Sequence, residues 1–193
     1  MKRLATLTAL VAVAASAQAA PETYTIDNSH TYPHFSYSHL GFSKQTHKFD
    51  KTTGNVVLDR AAKTGSADVT IDATSVNTGH GLFNQHIQGE DYFDTAKYPV
   101  ITFKGNKMTF NGDTPASLAG DLTIKGVTRP VTLAITHFHC MPHPMLKVQA
   151  CGANATTTVK RSEFNMGKNV PFVGDEITLN LAIEATRAPS AAQ

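Results

Sequence analysis

A cluster of donors in the second half of the chain could hold a metal. His137 and His139 are two apart, which on a strand puts both imidazoles on one face, and Cys140 and His143 follow closely. Nitrogen and sulfur donors so spaced suit copper or zinc. The other histidines, His30, His34, His39, His47, His80 and His86, are scattered, and each alone reads as a hydrogen-bonded structural residue. Asp175-Glu176 is a carboxylate pair, but strand neighbours point to opposite faces, so it reads as part of a turn. The chain has no G-x-S-x-G elbow, H-E-x-x-H, phosphate loop or G-x-G-x-x-G. With no nucleophile–base pair visible, the expectation is a non-enzymatic protein without a cofactor.

The second chemistry is apolar. The chain has ten Phe and five Tyr but no Trp. Singly, Phe35, Phe42, Phe83, Phe93, Phe103 and Phe172 read as core. Collectively, an interior of Phe and Leu with a few His and Arg tips suits a long apolar ligand with a small polar head. The expected lining is Phe35, Phe42, Phe83, Phe93, Phe103, Leu122, Ile124 and Phe172, with head contacts from His39, His86 and Arg161. A one-residue error in strand parity would turn any of these to the opposite face.

These residues need a scaffold in a particular compartment. Met1-Lys2-Arg3, an apolar run over 4–17 and Ala17-Gln18-Ala19 have the three parts of a secretory signal peptide. The run is shorter than the ~20 residues of a membrane-spanning helix. Cleavage after Ala19 leaves 174 residues with 15 basic and 15 acidic side chains, against 17 and 15 in the whole chain. No basic surplus remains to neutralise a phosphate backbone, which argues against a nucleic-acid partner. The remainder fits a single domain over 20–187 with a short tail over 188–193. A neutral surface permits a homodimer or brief contact with a membrane. In an exported chain, the pair Cys140 and Cys151 reads as a disulfide, worth about 3 kcal/mol on the chain-entropy view.

The dominant period is two. Leu118, Gly120, Leu122 and Ile124 alternate with polar neighbours, as do Val131, Leu133 and Ile135, and Ile177 through Ala185. Further strands are predicted over 24–27, 34–43, 54–59, 67–74, 100–110, 146–150 and 156–164. Asn111-Gly112, Gly126 with Pro130, and Gly174-Asp175 supply reversals, which imply antiparallel neighbours. Only 77–98 has helical spacing, giving a short excursion near 80–95. About eight antiparallel strands make a closed barrel or a sandwich, and the small residues Gly120, Ala150, Ala153 and Ala155 favour an interior with space.

Several segments resemble the YceI-like, polyisoprenoid-binding family. Tyr24-Thr-Ile-Asp27, Ser29-His30, Phe35 and His39-Leu-Gly41-Phe-Ser43 are similar to the family's opening. The likeness continues through Asn77-Thr-Gly79, His86, Asp91-Tyr-Phe93-Asp94 and Tyr98-Pro-Val-Ile-Thr-Phe103, then through 120–131. It closes with Arg161-Ser-Glu-Phe-Asn-Met166 and Val173-Gly-Asp-Glu176. The resemblance implies an all-β, extended, antiparallel eight-stranded barrel, lipocalin-like, around an apolar tunnel. It also implies a periplasmic protein that binds, carries or stores a polyisoprenoid, an isoprenoid quinone or a similar lipid. The alternative is periplasmic metal binding through His137, His139 and His143.

Overall fold

The computed structural model describes residues 20–188; the expected export signal over 1–19 and the tail beyond Ala188 lie outside the described residues. In chain order the strands are β1 (Glu22–Ile26), β2 (His34–His39), β3 (Ser43–Phe49), β4 (Thr52–Asp59), β5 (Thr64–Asp72) and β6 (Val76–Asn77). There follow β7 (Val100–Asn111), β8 (Thr114–Ile124), β9 (Val127–Pro142), β10 (Gln149–Lys160) and β11 (Glu176–Arg187). One helix, α1 (Gly81–Ile87), lies between β6 and β7, where the sequence places its excursion. Short 3₁₀ turns follow β5 (Ala73–Ser75) and β10 (Arg161–Phe164).

All strand pairs are antiparallel, and eight strands close into a barrel in the order β1-β4-β5-β7-β8-β9-β10-β11, with β11 returning to β1. Closure depends on two strands sharing the edge of β11 opposite β10. The C-terminal part of β11 pairs with β1, Ala185 opposite Ile26, and its N-terminal part pairs with β2, Leu179 opposite Phe35. The barrel is therefore shut at the β1 end. At the other end it splays, and β2, β3 and β6 continue the sheet as a flap. Phe93, from the segment after α1, packs on the inside of this flap, its ring 5.9 Å from Phe35 and 5.4 Å from Phe49.

Period-two patterning explains the wall. Leu118, Leu122 and Ile124 of β8, Leu133 of β9 and Ile177 of β11 are all buried, as their alternation requires. Hairpin turns carry residues with φ > 0 where a two-residue reversal needs them, as at Lys125 (49°) and Gly126 (73°). Two glycines permit strands to approach closely. A Cβ at Gly54 would lie 2.2 Å from the Asp68 carbonyl oxygen, and one at Gly120 would lie 2.3 Å from that of Lys104.

The structure corrects several boundaries. The predicted strands over 146–150 and 156–164 are one strand, β10, with Leu146 in the turn before it and 161–164 in the 3₁₀ turn after it. Gly152-Ala-Asn-Ala155 has poor strand propensity, but β9 and β11 pair with it from both sides and override that preference. The predicted strand over 34–43 stops at His39, and a separate strand, β3, begins at Ser43. Irregularities between Gly105 and Lys107 in β7, and beside His137 in β9, shift the register. They turn Met108 and Phe138 toward the inside, against the parity of the preceding residues.

Candidate functional site

Inside the barrel lies a cavity of about 410 Å³, within the usual range for small-molecule sites. Its walls are the inward residues of the closed strands: Phe103 of β7, Leu122 and Ile124 of β8, Leu133 of β9, Ala155 of β10, and Leu181 of β11. At the shut end it stops against Tyr24, Phe138 and Cys151. The polar groups there face away. The Tyr24 hydroxyl donates to the Glu22 carboxylate at 2.6 Å, and Glu22 in turn pairs with Arg187. Burial first, and then the bond to Glu22, push the Tyr24 phenol up to about 12.

The splayed end is the mouth. Of the residues lining the cavity, only His39, His86 and Asn169 are exposed, among the described residues. They come from the end of β2, the last turn of α1, and the loop over 165–175. His86 stacks on Phe83, ring centroids 6.0 Å apart, and lies 5.0 Å from the Tyr92 ring. Asn169 donates to the Tyr92 hydroxyl at 3.1 Å. Just inside, His47 of β3 sits among Phe35, Tyr37 and Phe83, with ring centroids 5.5–5.6 Å away. Burial pushes the His47 imidazole below its ordinary range, while the Thr78 backbone pulls it weakly back. Burial also raises the Tyr37 phenol.

Most of the sequence-predicted site residues meet here. Phe35, Phe83, Phe93, Phe103, Leu122 and Ile124 face the cavity, and His39 and His86 flank its mouth. Phe42 and Phe172 do not line it. They are 85% and 71% exposed, because each sits on a loop tip where strand alternation does not apply. Arg161 borders the cavity, but each of its guanidinium nitrogens already donates to a backbone carbonyl. Nε donates to the Gly174 carbonyl at 2.9 Å, Nη2 to that of Val173 at 2.8 Å, and Nη1 to that of Met166. These bonds fasten the 165–175 loop beside the mouth. Of the small residues expected inside, Ala153 and Ala155 line the cavity, whereas Gly120 is pressed against the Gly105 backbone and Ala150 lies outside the lining.

Sequence reading did not assign Tyr37, Phe49, Tyr92 or Phe138 to the lining, nor His47, which packs against lining rings without itself lining the cavity. His47 and Phe49 do alternate with Lys48, but an imidazole scores as polar, so β3 shows no apolar period. The metal cluster does not assemble. Cys140 is bonded to Cys151, on directly paired positions of β9 and β10. The His143 Nδ1 accepts the amides of Met145 and Leu146 at 3.2 and 3.1 Å, building the hairpin turn. Among the described residues, no three His, Cys, Asp or Glu side chains surround a common point. Asp175 likewise is used locally, accepting from the amide and hydroxyl of Ser162 at 2.9 and 2.7 Å.

A closed antiparallel barrel of eight strands, with a single exposed mouth and an apolar interior, defines a lipocalin-like protein. The chain belongs to the YceI-like domain family, whose match runs over residues 24–185. It is 32% identical over 173 residues to a UPF0312 protein of Ectopseudomonas mendocina (strain ymp), covering 88% of this chain and 90% of that relative. It is 32% identical over 185 residues to Protein YceI of Escherichia coli O17:K52:H18, covering 94% and 95%. The crystal structure of Burkholderia cenocepacia BcnA superposes with a TM-score of 0.72 at 27% identity, over 83% of this chain and 99% of that one. A polyisoprenoid binding domain from Saccharophagus degradans, implicated in plant cell wall breakdown, superposes with a TM-score of 0.64 over 86% and 98%. At 16% identity, that last likeness concerns the fold.

Proposed function

We propose that this protein is a non-enzymatic periplasmic carrier or reservoir for a long-chain polyisoprenoid, an isoprenoid quinone or a comparable amphiphilic lipid. The observation that carries the reading is the distribution of polarity in the cavity. Its depth is walled by Phe, Leu, Ile and Val, while the exposed polar side chains His39, His86 and Asn169 stand at the mouth. A chain can enter the barrel while its head stays near these groups.

Energetics favour low selectivity. Burying hydrocarbon gives about 0.8 kcal/mol per methylene. A few tens of carbons would nominally exceed the practical ceiling of about 18–21 kcal/mol, so ordering costs offset much of the gain. Few head contacts are then needed. With Arg161 occupied by backbone carbonyls, His39 and His86 are the head contacts in this proposal. The basic start, apolar run and Ala17-Gln-Ala19 site support delivery to the periplasm. The S. degradans domain, described as polyisoprenoid binding, supports the ligand class through its shared fold.

Organic extraction of the purified protein, read by mass spectrometry, tests this. A prenyl chain or similar lipid at near-stoichiometric amount is expected. A clean extract, together with no uptake of a prenyl lipid from vesicles, contradicts the reading.

A further inference from the structure

The mouth is bordered by apolar side chains that face solvent. Leu40, Phe42, Val170 and Phe172 are all exposed, Phe42 most of all. Three of them directly adjoin cavity-lining residues in the chain: Leu40 follows His39, Val170 follows Asn169, and Phe172 precedes Val173. The two loops are joined as one unit. His39 bridges to Val173, the Leu40 amide donates to the Phe172 carbonyl at 2.8 Å, and the Gly174 amide donates to the Ser38 carbonyl at 2.8 Å. Exposed apolar side chains and the polar mouth residues His39 and Asn169 thus alternate along two joined loops at this end of the barrel.

Local turn chemistry does not account for the leucine. The Phe42 amide donates to the His39 carbonyl at 3.0 Å, closing a two-residue turn in which Leu40 has φ 53° and Gly41 has φ 73°. Asn or Asp is the ordinary first residue of such a turn, and a leucine there is disfavoured by sterics. An aliphatic side chain is thus held, against local preference, on an exposed tip beside the mouth. Exposed apolar residues also occur on the β9–β10 hairpin, Met141, Met145 and Leu146, but that hairpin caps the shut end.

We propose that Leu40, Phe42, Val170 and Phe172 form a docking rim that enters the headgroup–acyl boundary of a lipid bilayer, setting the cavity mouth against the membrane. The proposal rests on the carrier reading above, since a ligand drawn from a bilayer must leave it through such a mouth. Interfacial binding of this kind follows buried apolar area. Lys44 and Lys168 stand two residues from Phe42 and Val170, so anionic lipid should add to docking while the apolar side chains remain required for it.

The test is flotation of the full mature chain with phosphatidylcholine vesicles, with and without phosphatidylglycerol. Variants are the double substitution Phe42→Ser/Phe172→Ser and, as a control at the shut end, Met145→Ser/Leu146→Ser. Wild type and control should float alike, the rim variant at least about tenfold less, as expected from removing two large apolar side chains. Thermal melts check that the exposed substitutions leave the barrel intact. Failure of the wild type to float overturns the proposal, as does equal flotation of the rim variant. A dimer in sedimentation that the rim variant dissociates, without flotation of the wild type, assigns the rim to a second copy and also overturns it. Extracted lipid is measured on the same samples. Lipid present without rim-dependent flotation removes the docking proposal alone, and rim-dependent flotation with a clean extract removes the carrier reading alone.

Discussion

The Tyr37 hydroxyl lies 3.1 Å from Nε2 of His47, in a buried contact just inside the cavity mouth. Phe35 and Phe83 close around the imidazole, so protonating it would place a cation among aromatic rings. Its folded-state affinity for a proton is lowered by burial. The native state therefore binds fewer protons here than the unfolded chain. This contribution to stability is complete above the ordinary histidine range, near pH 6.5, and is lost as pH falls toward the depressed folded value. The double substitution Tyr37→Phe/His47→Phe should flatten this acid limb in urea titrations at a series of pH values. His47→Phe alone should cost about 1–3 kcal/mol at neutral pH if the phenol is left without an acceptor. An unchanged acid limb in the double variant would show that His47 is not its source.

His30 acts in the opposite direction, and its partner Asp27 acts in the same direction at a lower pH, so both can be separated from it. They meet at 2.8 Å on the surface, and Ser29 also donates to Asp27. The Ser29 hydroxyl, then His30, hold the Asp27 carboxyl down to about 2, and Asp27 raises the His30 imidazole. The imidazole's share of stability is complete below the ordinary histidine range and is lost as pH rises through its raised value. The carboxyl's share is present above the ordinary carboxylate range and is lost as pH falls toward about 2. In proton NMR titrations, His30→Gln should move the Asp27 midpoint upward. A midpoint that stays in place would place the whole effect on Ser29.

Arg161 is a structural clamp on the mouth loop. It is 6% exposed, and its guanidinium spans the carbonyls of Met166, Val173 and Gly174. Arg161→Ala should destabilise by at least about 1–3 kcal/mol, because buried carbonyls are left without a donor. Arg161→Lys should recover only part of this, since a single ammonium lacks the forked geometry. Denaturant midpoints measure both. Unchanged stability with reduced lipid content would return Arg161 to the ligand-head role that the sequence suggests.

Reduction of the Cys140–Cys151 bond should cost about 3 kcal/mol, given a sequence separation of 11. It should also loosen the shut end, where Cys151 packs with Tyr24 and Phe138. Alkylation before and after reduction, followed by melting, checks both. Labelling of either cysteine without a reductant would contradict the bonded state.

The sequence revealed the wall far better than the mouth. Ile177, Leu179, Leu181 and Ile183 show their face plainly, because β11 keeps regular register along the whole of β10. Met108 and Phe138 did not, since a one-residue irregularity reverses parity without leaving a compositional mark. Phe42 and Phe172 were assigned inward because hydrophobicity alone cannot tell a lining ring from an exposed one on a loop tip. Arg161 presents the converse difficulty. Its type suggests a ligand contact, and only the positions of three carbonyls show that each of its nitrogens already has a partner.

Occupancy of the cavity is open to steric test. Ala155 lies mid-strand on β10 and faces the interior space. Ala155→Phe should fill part of that space at a stability change within about 3 kcal/mol, and should cut bound lipid several-fold. Melting and extraction performed together separate exclusion of the ligand from loss of the fold. Undiminished lipid in a folded Ala155→Phe protein would place the ligand elsewhere.

The most direct measurement is native mass spectrometry of the protein purified after expression of the full chain. A ligand enclosed in the barrel predicts a folded species heavier than the polypeptide by one lipid mass. That increment should disappear on denaturation and be depleted in Ala155→Phe. A folded protein found only at the bare polypeptide mass, before and after incubation with vesicles containing a prenyl lipid, would contradict a lipid-carrying barrel.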